Sequence, residues 1–323
     1  MTAPTLEVHL SDEDLTTALR TDARRGLTAD PKWLPPKWFY DARGSELFER
    51  ITELPEYYPT RTERALLERV VGEIARIAQA EVLVELGAGS AHKTRLLLSA
   101  LTAEGPLKTY VPQDVSSAAL RAAAEQVAAE FPALGVHGVV SDFTDTLRNL
   151  PRGGRRMIAF LGGTIGNLVP DERAEFLAGI REVLEPGERL LLGAGLVIDP
   201  DVLVPAYDDA AGVTAEFNRN VLHVLNHRLR ADFDPEKFAH VALWDAEREW
   251  IEMRLAATED MTVTVADLDL TVHFARGEQL RTEISAKFRV DGLDDELAAA
   301  GFRTERVWTD DDDRFALVLA ARI

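Results

Sequence analysis

The sequence predicts an α/β fold: a Rossmann-like, mostly parallel sheet accompanied by a second, discontinuous α+β domain. Three observations predict it. From Glu81 onward, short aliphatic runs alternate with amphipathic helical stretches, the pattern of strands joined by crossover helices. The first of these runs ends in a glycine-bearing turn ahead of a helix. Residues 1–60 and the stretch from about Val197 to Ala286 follow no such alternation.

In chain order, Val82 to Leu86 is the first strand. Thr109 to Val111, Gly138 to Val140, Met157 to Leu161 and Leu190 to Leu192 follow, rich in the β-branched and aliphatic residues of buried parallel strands. Between them, Ala118 to Phe131 and Arg173 to Leu184 repeat apolar residues every three or four positions and are read as helices. A helix near Leu293 to Ala300, ended by Gly301, leads into strands Thr304 to Trp308 and Phe315 to Ala321. The link Asp310 to Asp313 is short, so those strands are expected to be antiparallel neighbours. Its aspartates lack calcium-loop spacing and read as a solvated hairpin. The insertion carries a helical pattern, Asp201 to Leu229, then strands that include Trp250 to Leu255 and Leu268 to Phe274. Neither irregular stretch is self-sufficient. The expected division is therefore a cofactor domain of residues 61–196 completed by 287–323, and a discontinuous substrate-binding domain of 1–60 and 197–286. Ligands of open α/β sheets bind outside the carboxyl ends of the strands, where a second lobe would cap them.

Composition narrows the function classes. The 323 residues hold 36 Lys and Arg against 55 Asp and Glu, a net charge of −19, which argues against a nucleic-acid partner. No apolar run approaches the ~18 residues of a membrane span, and the N-terminus lacks the basic start and apolar stretch of a secretory signal. The absence of cysteine excludes disulfides, thiolate metal sites and cysteine nucleophiles. A cytoplasmic protein without a membrane partner is expected. Among the scattered histidines, only His223 and His227 have helical i, i+4 spacing. No glutamate of a zinc helix motif stands between them, so no metal is expected.

The first strand runs into Glu85-Leu86-Gly87-Ala88-Gly89-Ser90. Glycines there let a ligand touch backbone, and the helix N-terminus that follows favours negative charge. A dinucleotide fingerprint needs a third glycine where His92 stands, which counts against a nicotinamide cofactor and a dehydrogenase. The second strand ends at Asp114, an acid that can accept both ribose hydroxyl protons, and the third at Ser141-Asp142-Phe143. Each acid alone would more often be a helix cap. One acid after each successive strand is a constellation. With the late strand of GERLLLG and the terminal hairpin, the series resembles the class I methyltransferases that use S-adenosylmethionine (SAM). That resemblance implies that Gly87 lies against the cofactor, Asp114 holds its ribose, and Asp142 with Phe143 binds its adenine. Lys93, in the first helical turn, would by itself be a surface residue; in this setting it is expected to contact the cofactor as a partner of its methionine carboxylate.

The aromatic and proline-rich segment Pro35-Pro36-Lys37-Trp38-Phe39-Tyr40-Asp41, with Leu54-Pro55-Glu56-Tyr57-Tyr58-Pro59-Thr60-Arg61, is more specific. So are Phe160-Leu161-Gly162-Gly163-Thr164-Ile165-Gly166-Asn167, Ala206-Tyr207-Asp208-Asp209, Phe217-Asn218-Arg219-Asn220 and Thr282-Glu283-Ile284-Ser285 before Lys287-Phe288. Over nearly its whole length the chain resembles the histidine-specific SAM-dependent Nα-methyltransferases of ergothioneine biosynthesis, which make hercynine. It departs from their pattern at Ala91-His92 and at Ala286. The resemblance implies that Tyr57, Asn167 and Tyr207 contact the amino-acid end of L-histidine, while Glu283, Ser285 and the backbone around Ile284 hold its imidazole. The partners implied are histidine and its mono- and dimethylated forms, and the enzyme is expected to be a monomer. Asn167 offers both a donor and an acceptor to a substrate amine and carboxylate. Tyr40 is a polar neighbour of the reacting nitrogen, but a phenol with a pKa of about 10 is a poor base near neutrality, and a water relay is equally open. Tyr40 and Phe48 either ease the growing methylammonium with their faces or simply pack. Another amine substrate and a non-catalytic SAM-binding regulator are the competing readings.

Overall fold

A computed structural model describes residues 3–89, 93–143 and 147–323, and these fall into two compact units. One holds the described residues up to Ser11, Arg61–Leu196 and Phe288–Ile323; the other holds Asp12–Thr60 and Val197–Lys287.

The first unit is built on an eight-stranded sheet in the order Thr5–Val8, Gly135–Val140, Thr109–Asp114, Val82–Leu86, Arg156–Phe160, Arg189–Gly195, Phe315–Arg322, Phe302–Thr309. The first six run parallel, and Phe315–Arg322 is antiparallel to both its neighbours. This is the mostly parallel, Rossmann-like sheet with a terminal antiparallel hairpin that the sequence predicts. Val82–Leu86 is buried at every position, as a central parallel strand must be, and is apolar at all of them but Glu85. The chain leaves it toward Thr109–Asp114 on one side and Arg156–Phe160 on the other, so strand order reverses there. That reversal is the switch point at which open α/β sheets bind ligands. Helices Thr94–Glu104, Ser117–Glu130 and Pro170–Val183 provide crossovers, and Leu67, Leu83, Leu97, Tyr110, Met157, Leu191 and Leu317 form a fully buried core. The aspartate link is a hairpin turn: the Asp310 carboxylate accepts from the N–H groups of Arg314 and Phe315, both at 2.7 Å.

Two boundaries differ from the expected ones. Thr5–Val8 pairs in parallel with Gly135–Val140, so the start of the chain belongs to the sheet rather than to the second unit. With four residues, three of them exposed, it is an edge strand too short to show alternation. Lys287 falls in the second unit, because its N–H donates to the carbonyl of Glu249 and extends the pairing of that unit's sheet.

The second unit packs helices Asp12–Leu27, Ala42–Thr52 and Val213–Leu229 with a three-stranded antiparallel sheet, Gln279–Ala286, Trp250–Ala257, Phe238–Asp245, and a hairpin of Met261–Val265 with Leu270–Phe274. The expected helix Asp201 to Leu229 is interrupted. Pro200–Leu203 passes into a 3-10 turn, Val204–Ala206, and the long helix restarts only at Val213 after Gly212, whose φ is 74°. The Asp209 carboxylate accepts from the N–H groups of Val213 and Thr214 at 3.0 and 2.7 Å and caps the restart. The expected strand Leu268 to Phe274 begins instead at Leu270, because Asp269 adopts a left-handed φ of 46°. Phe39 is fully buried against Phe217, with centroids 4.7 Å apart.

Candidate active site

In the first unit, Gly87 and Gly89 take φ values of 71° and 49°, which glycine alone adopts without strain. The N–H groups of Gly87 and Ala88 donate to the carbonyl of Gln113 at 2.9 and 3.1 Å, tying the turn to the next strand. The Asp114 carboxylate accepts from the N–H of Gly89 at 3.1 Å and of Ser116 at 3.0 Å. Burial raises the pKa of that carboxyl, and the amides around it work in the opposite direction. A Cβ built on Gly87 would stand 3.7 Å from Cε1 of Phe143, and among the described residues nothing lies within 4 Å of one on Gly89. Phe143 is braced edge-on by Phe160 and Phe176, at 5.2 and 5.8 Å between centroids, and half-buried Asp142 precedes it. Backbone open to close approach, a fixed carboxylate and an aromatic face are what a nucleoside requires, so these residues fit SAM.

Beneath the turn, Glu85 is buried and accepts from the Thr94 hydroxyl at 2.6 Å and the Tyr110 hydroxyl at 2.5 Å. Burial outweighs these bonds, and its pKa is pushed up to about 7. Lys93 pairs with the fully buried Glu63, whose other oxygen accepts from the N–H of Gly162 at 2.7 Å. Gly162 and Gly163, with φ of 82° and 69°, turn the chain into the 3-10 segment Thr164–Asn167, which ends on half-buried Asn167. Ala91 and His92, the family departures of this loop, lie outside the described residues.

In the second unit, Tyr40, Tyr57, Tyr207, Glu283 and Ser285 come together. Tyr57 stands 6.3 Å from Tyr207 and 6.2 Å from Phe48, ring to ring, and Tyr40 stands 5.6 Å from Phe48. A bulge between Arg281 and Glu283 resets the pairing so that Glu283 lies opposite Met253 and Ser285 opposite Ile251. Glu283 and Ser285 then share a face, as their two-residue spacing predicts. The hydroxyls of Tyr207 and Ser285 are 2.8 Å apart, and Lys287 Nζ donates to them at 2.8 and 2.7 Å. Desolvation, reinforced by Glu283, raises the phenol pKa values of Tyr40 and Tyr207; Tyr57 moves the same way by desolvation and by Tyr207. Tyr40 keeps 42% of its surface exposed, so for it the proximity of Glu283 and Tyr207 is the firmer cause. All three are neutral donors, not bases.

A family model for histidine-specific, SAM-dependent methyltransferases matches residues 19–322. The chain belongs to this family. The histidine N-alpha-methyltransferase of Mycolicibacterium smegmatis is 52% identical over 314 residues, covering 97% of this chain and 98% of that protein. That of Mycobacterium tuberculosis is 51% identical over the same shares. Ergothioneine biosynthesis protein 1 of Neurospora crassa is 36% identical over 206 residues, 61% of this chain and 23% of that one. As a SAM-dependent methyltransferase the protein is an enzyme of methyl transfer.

In this methyltransferase the expected cofactor residues Gly87, Asp114, Asp142 and Phe143 and the expected turn ending in Asn167 belong to the first unit. Tyr40, Tyr57, Tyr207, Glu283, Ile284 and Ser285 belong to the second. Sequence reasoning missed Glu63, Glu85 and Lys287, although each left a signal. Glu85 interrupts an apolar strand, Glu63 shares a helix face with Leu66, Leu67 and Val70, and Lys287 continues the alternation of Glu283 and Ser285. It also missed a buried chain of hydrogen bonds. Thr282 donates to Asn218 Oδ1 at 2.5 Å, Asn218 Nδ2 donates to His240 Nδ1 at 2.8 Å, and His240 Nε2 donates to the Tyr207 carbonyl at 2.8 Å. Burial lowers the His240 pKa and keeps the ring in the neutral form that this chain needs. No group of three or more His, Asp or Glu side chains suited to a metal occurs among the described residues, and no described helix is long and apolar enough to cross a membrane.

Proposed function

We propose that the enzyme transfers three methyl groups in succession to the α-amino group of L-histidine, giving hercynine, an early step of ergothioneine biosynthesis. The observation that carries this reading is the assembly of Tyr40, Tyr57, Tyr207, Glu283 and Ser285 into one cluster, in a chain of the histidine-specific family. SAM supplies an electrophilic sulfonium methyl. In each transfer an N–C bond forms as the C–S bond breaks, and the amine gives up a proton so that its lone pair is available. No nucleophilic side chain is needed. Orientation is the main task, and a well-aligned pair gains ~7 kcal/mol or more from it.

Gly87 meets the cofactor, Asp114 its ribose, and Asp142 with Phe143 its adenine. Lys93, already tied to Glu63, turns a further N–H to the methionine carboxylate. Tyr57, Asn167 and Tyr207 hold the amino-acid end of histidine, and Glu283, Ser285 and the Ile284 backbone address its ring. With its phenol pKa raised, Tyr40 serves as a hydrogen-bond donor beside the amine, which leaves the proton to water. Mono- and dimethylhistidine are intermediates of the same site. The protein works as a cytoplasmic monomer without metal, nucleic acid or membrane.

Mass spectrometry of histidine incubated with SAM and enzyme tests this, with gains of one, two and three methyls expected. Glu283→Ala is expected to lose histidine turnover while still binding SAM. No methylated product from the wild type, or full histidine turnover by the variant, refutes the respective assignment.

A further inference from the structure

Lys287 is used by none of these steps, yet it is only 7% exposed. Its Nζ donates to the Tyr207 hydroxyl at 2.8 Å and to Ser285 Oγ at 2.7 Å, and it stands 4.9 Å from the centroid of the Tyr207 ring. An ammonium taken out of water is costly unless its charge is used. Counting hydrogens shows one use. Lysine occupies a lone pair on each of the two oxygens, and the 2.8 Å contact between them holds one hydroxyl hydrogen. One hydroxyl hydrogen of the pair is left to face a ligand. If Ser285 donates to Tyr207, that hydrogen is the phenol's, and a phenol whose oxygen already accepts two hydrogen bonds is a stronger donor.

The charge balance points the same way. An α-amine must be neutral to attack, so the bound amino acid's carboxylate has lost its own ammonium partner. Glu283 already brings a negative charge to this cluster, and Lys287 brings a positive one. Burial lowers the lysine's pKa, while the nearby Glu283 and Tyr58 favour its charged form.

We infer that Lys287 is the residue through which this site selects a free α-carboxylate: its ammonium orders the hydroxyls of Ser285 and Tyr207 so that Tyr207 donates to the carboxylate, and offsets that carboxylate's charge. Lys287 is a positioning residue, acting through Tyr207. The inference rests on the histidine reading above.

Calorimetric titration of L-histidine and of L-histidinamide, which replaces the carboxylate by a neutral amide, tests it in the wild type, Lys287→Met and Lys287→Gln, with circular dichroism to verify folding. The wild type is expected to prefer histidine roughly tenfold or more, and both lysine variants to lose most of that preference. A purely structural role would weaken both ligands together and leave the ratio unchanged; that result, or a wild type indifferent to the carboxylate, overturns the inference. If neither lysine variant folds, Tyr207→Phe reads the same ratio, and retention of the preference there overturns it equally. A wild type that binds neither ligand defeats the histidine reading itself.

Discussion

Glu85 shows how one side chain couples the cofactor turn to pH. Its carboxyl lies below Gly87, bonded by Thr94 and Tyr110, with a pKa pushed up to about 7 from an ordinary 4.5. Between those values the folded protein holds a proton that the unfolded chain has released, so stability falls as pH rises from about 4.5 through about 7 and levels off above. The full span corresponds to ~3 kcal/mol. Glu85→Gln keeps the shape and removes the titration. Urea denaturation of both proteins between pH 5 and 8.5 is therefore expected to show the variant gaining on the wild type as pH increases. Parallel curves would mean that this carboxyl keeps an ordinary pKa.

Among the elements, the interrupted stretch Pro200 to Leu229 matters most. A continuous helix would bury Tyr207 in a helical face. The break between Ala206 and Val213 instead presents its ring to Tyr57, while its carbonyl is held by His240 and through it by Asn218 and Thr282. Asn218→Ala takes the donor from His240 Nδ1 and from the Arg254 carbonyl, and leaves the Thr282 hydroxyl only the Met253 carbonyl at 3.0 Å, an expected cost of ~2 kcal/mol in urea denaturation. It is also expected to weaken histidine binding several-fold in calorimetry, since Tyr207 loses its tether. Arg64→Ala, which removes only an exposed i, i+4 pair with Glu68, is the control at ~0.5 kcal/mol or less. A loss at Asn218 no larger than at Arg64 would show that the chain is not rigid. The same stretch marks where the sequence was legible. The central strands were readable because five or six consecutive buried positions leave an unmistakable apolar run. The helix break was not, because apolar residues keep their helical spacing through Pro205 and Gly212 and only the chain's own capping by Asp209 decides the restart. Tyr57, Tyr207, Glu283 and Ser285 were visible through family motifs alone. Lys287 and His240 escaped because their burial comes from neighbours distant in sequence.

For the whole molecule, 36 basic against 55 acidic residues leave a net charge of −19, and folding concentrates that charge. Two opposing effects of salt follow. Exposed pairs such as Arg64–Glu68 and Lys108–Glu81 are weakened by screening, but solvated pairs of this kind contribute little to begin with. The buried pair Arg156–Glu188 is shielded from screening by its surroundings. Self-repulsion of the uncompensated acids, by contrast, acts over the long range that salt suppresses first: the Debye length falls from ~30 Å at 0.01 M to ~10 Å at 0.1 M. With acids in such excess, relief of repulsion is expected to win. The thermal midpoint should therefore rise by a few degrees between 10 and 200 mM sodium chloride at pH 8, in scanning calorimetry. A midpoint that falls over this range would mean that the surface pairs, taken together, hold the fold more firmly than its net charge strains it.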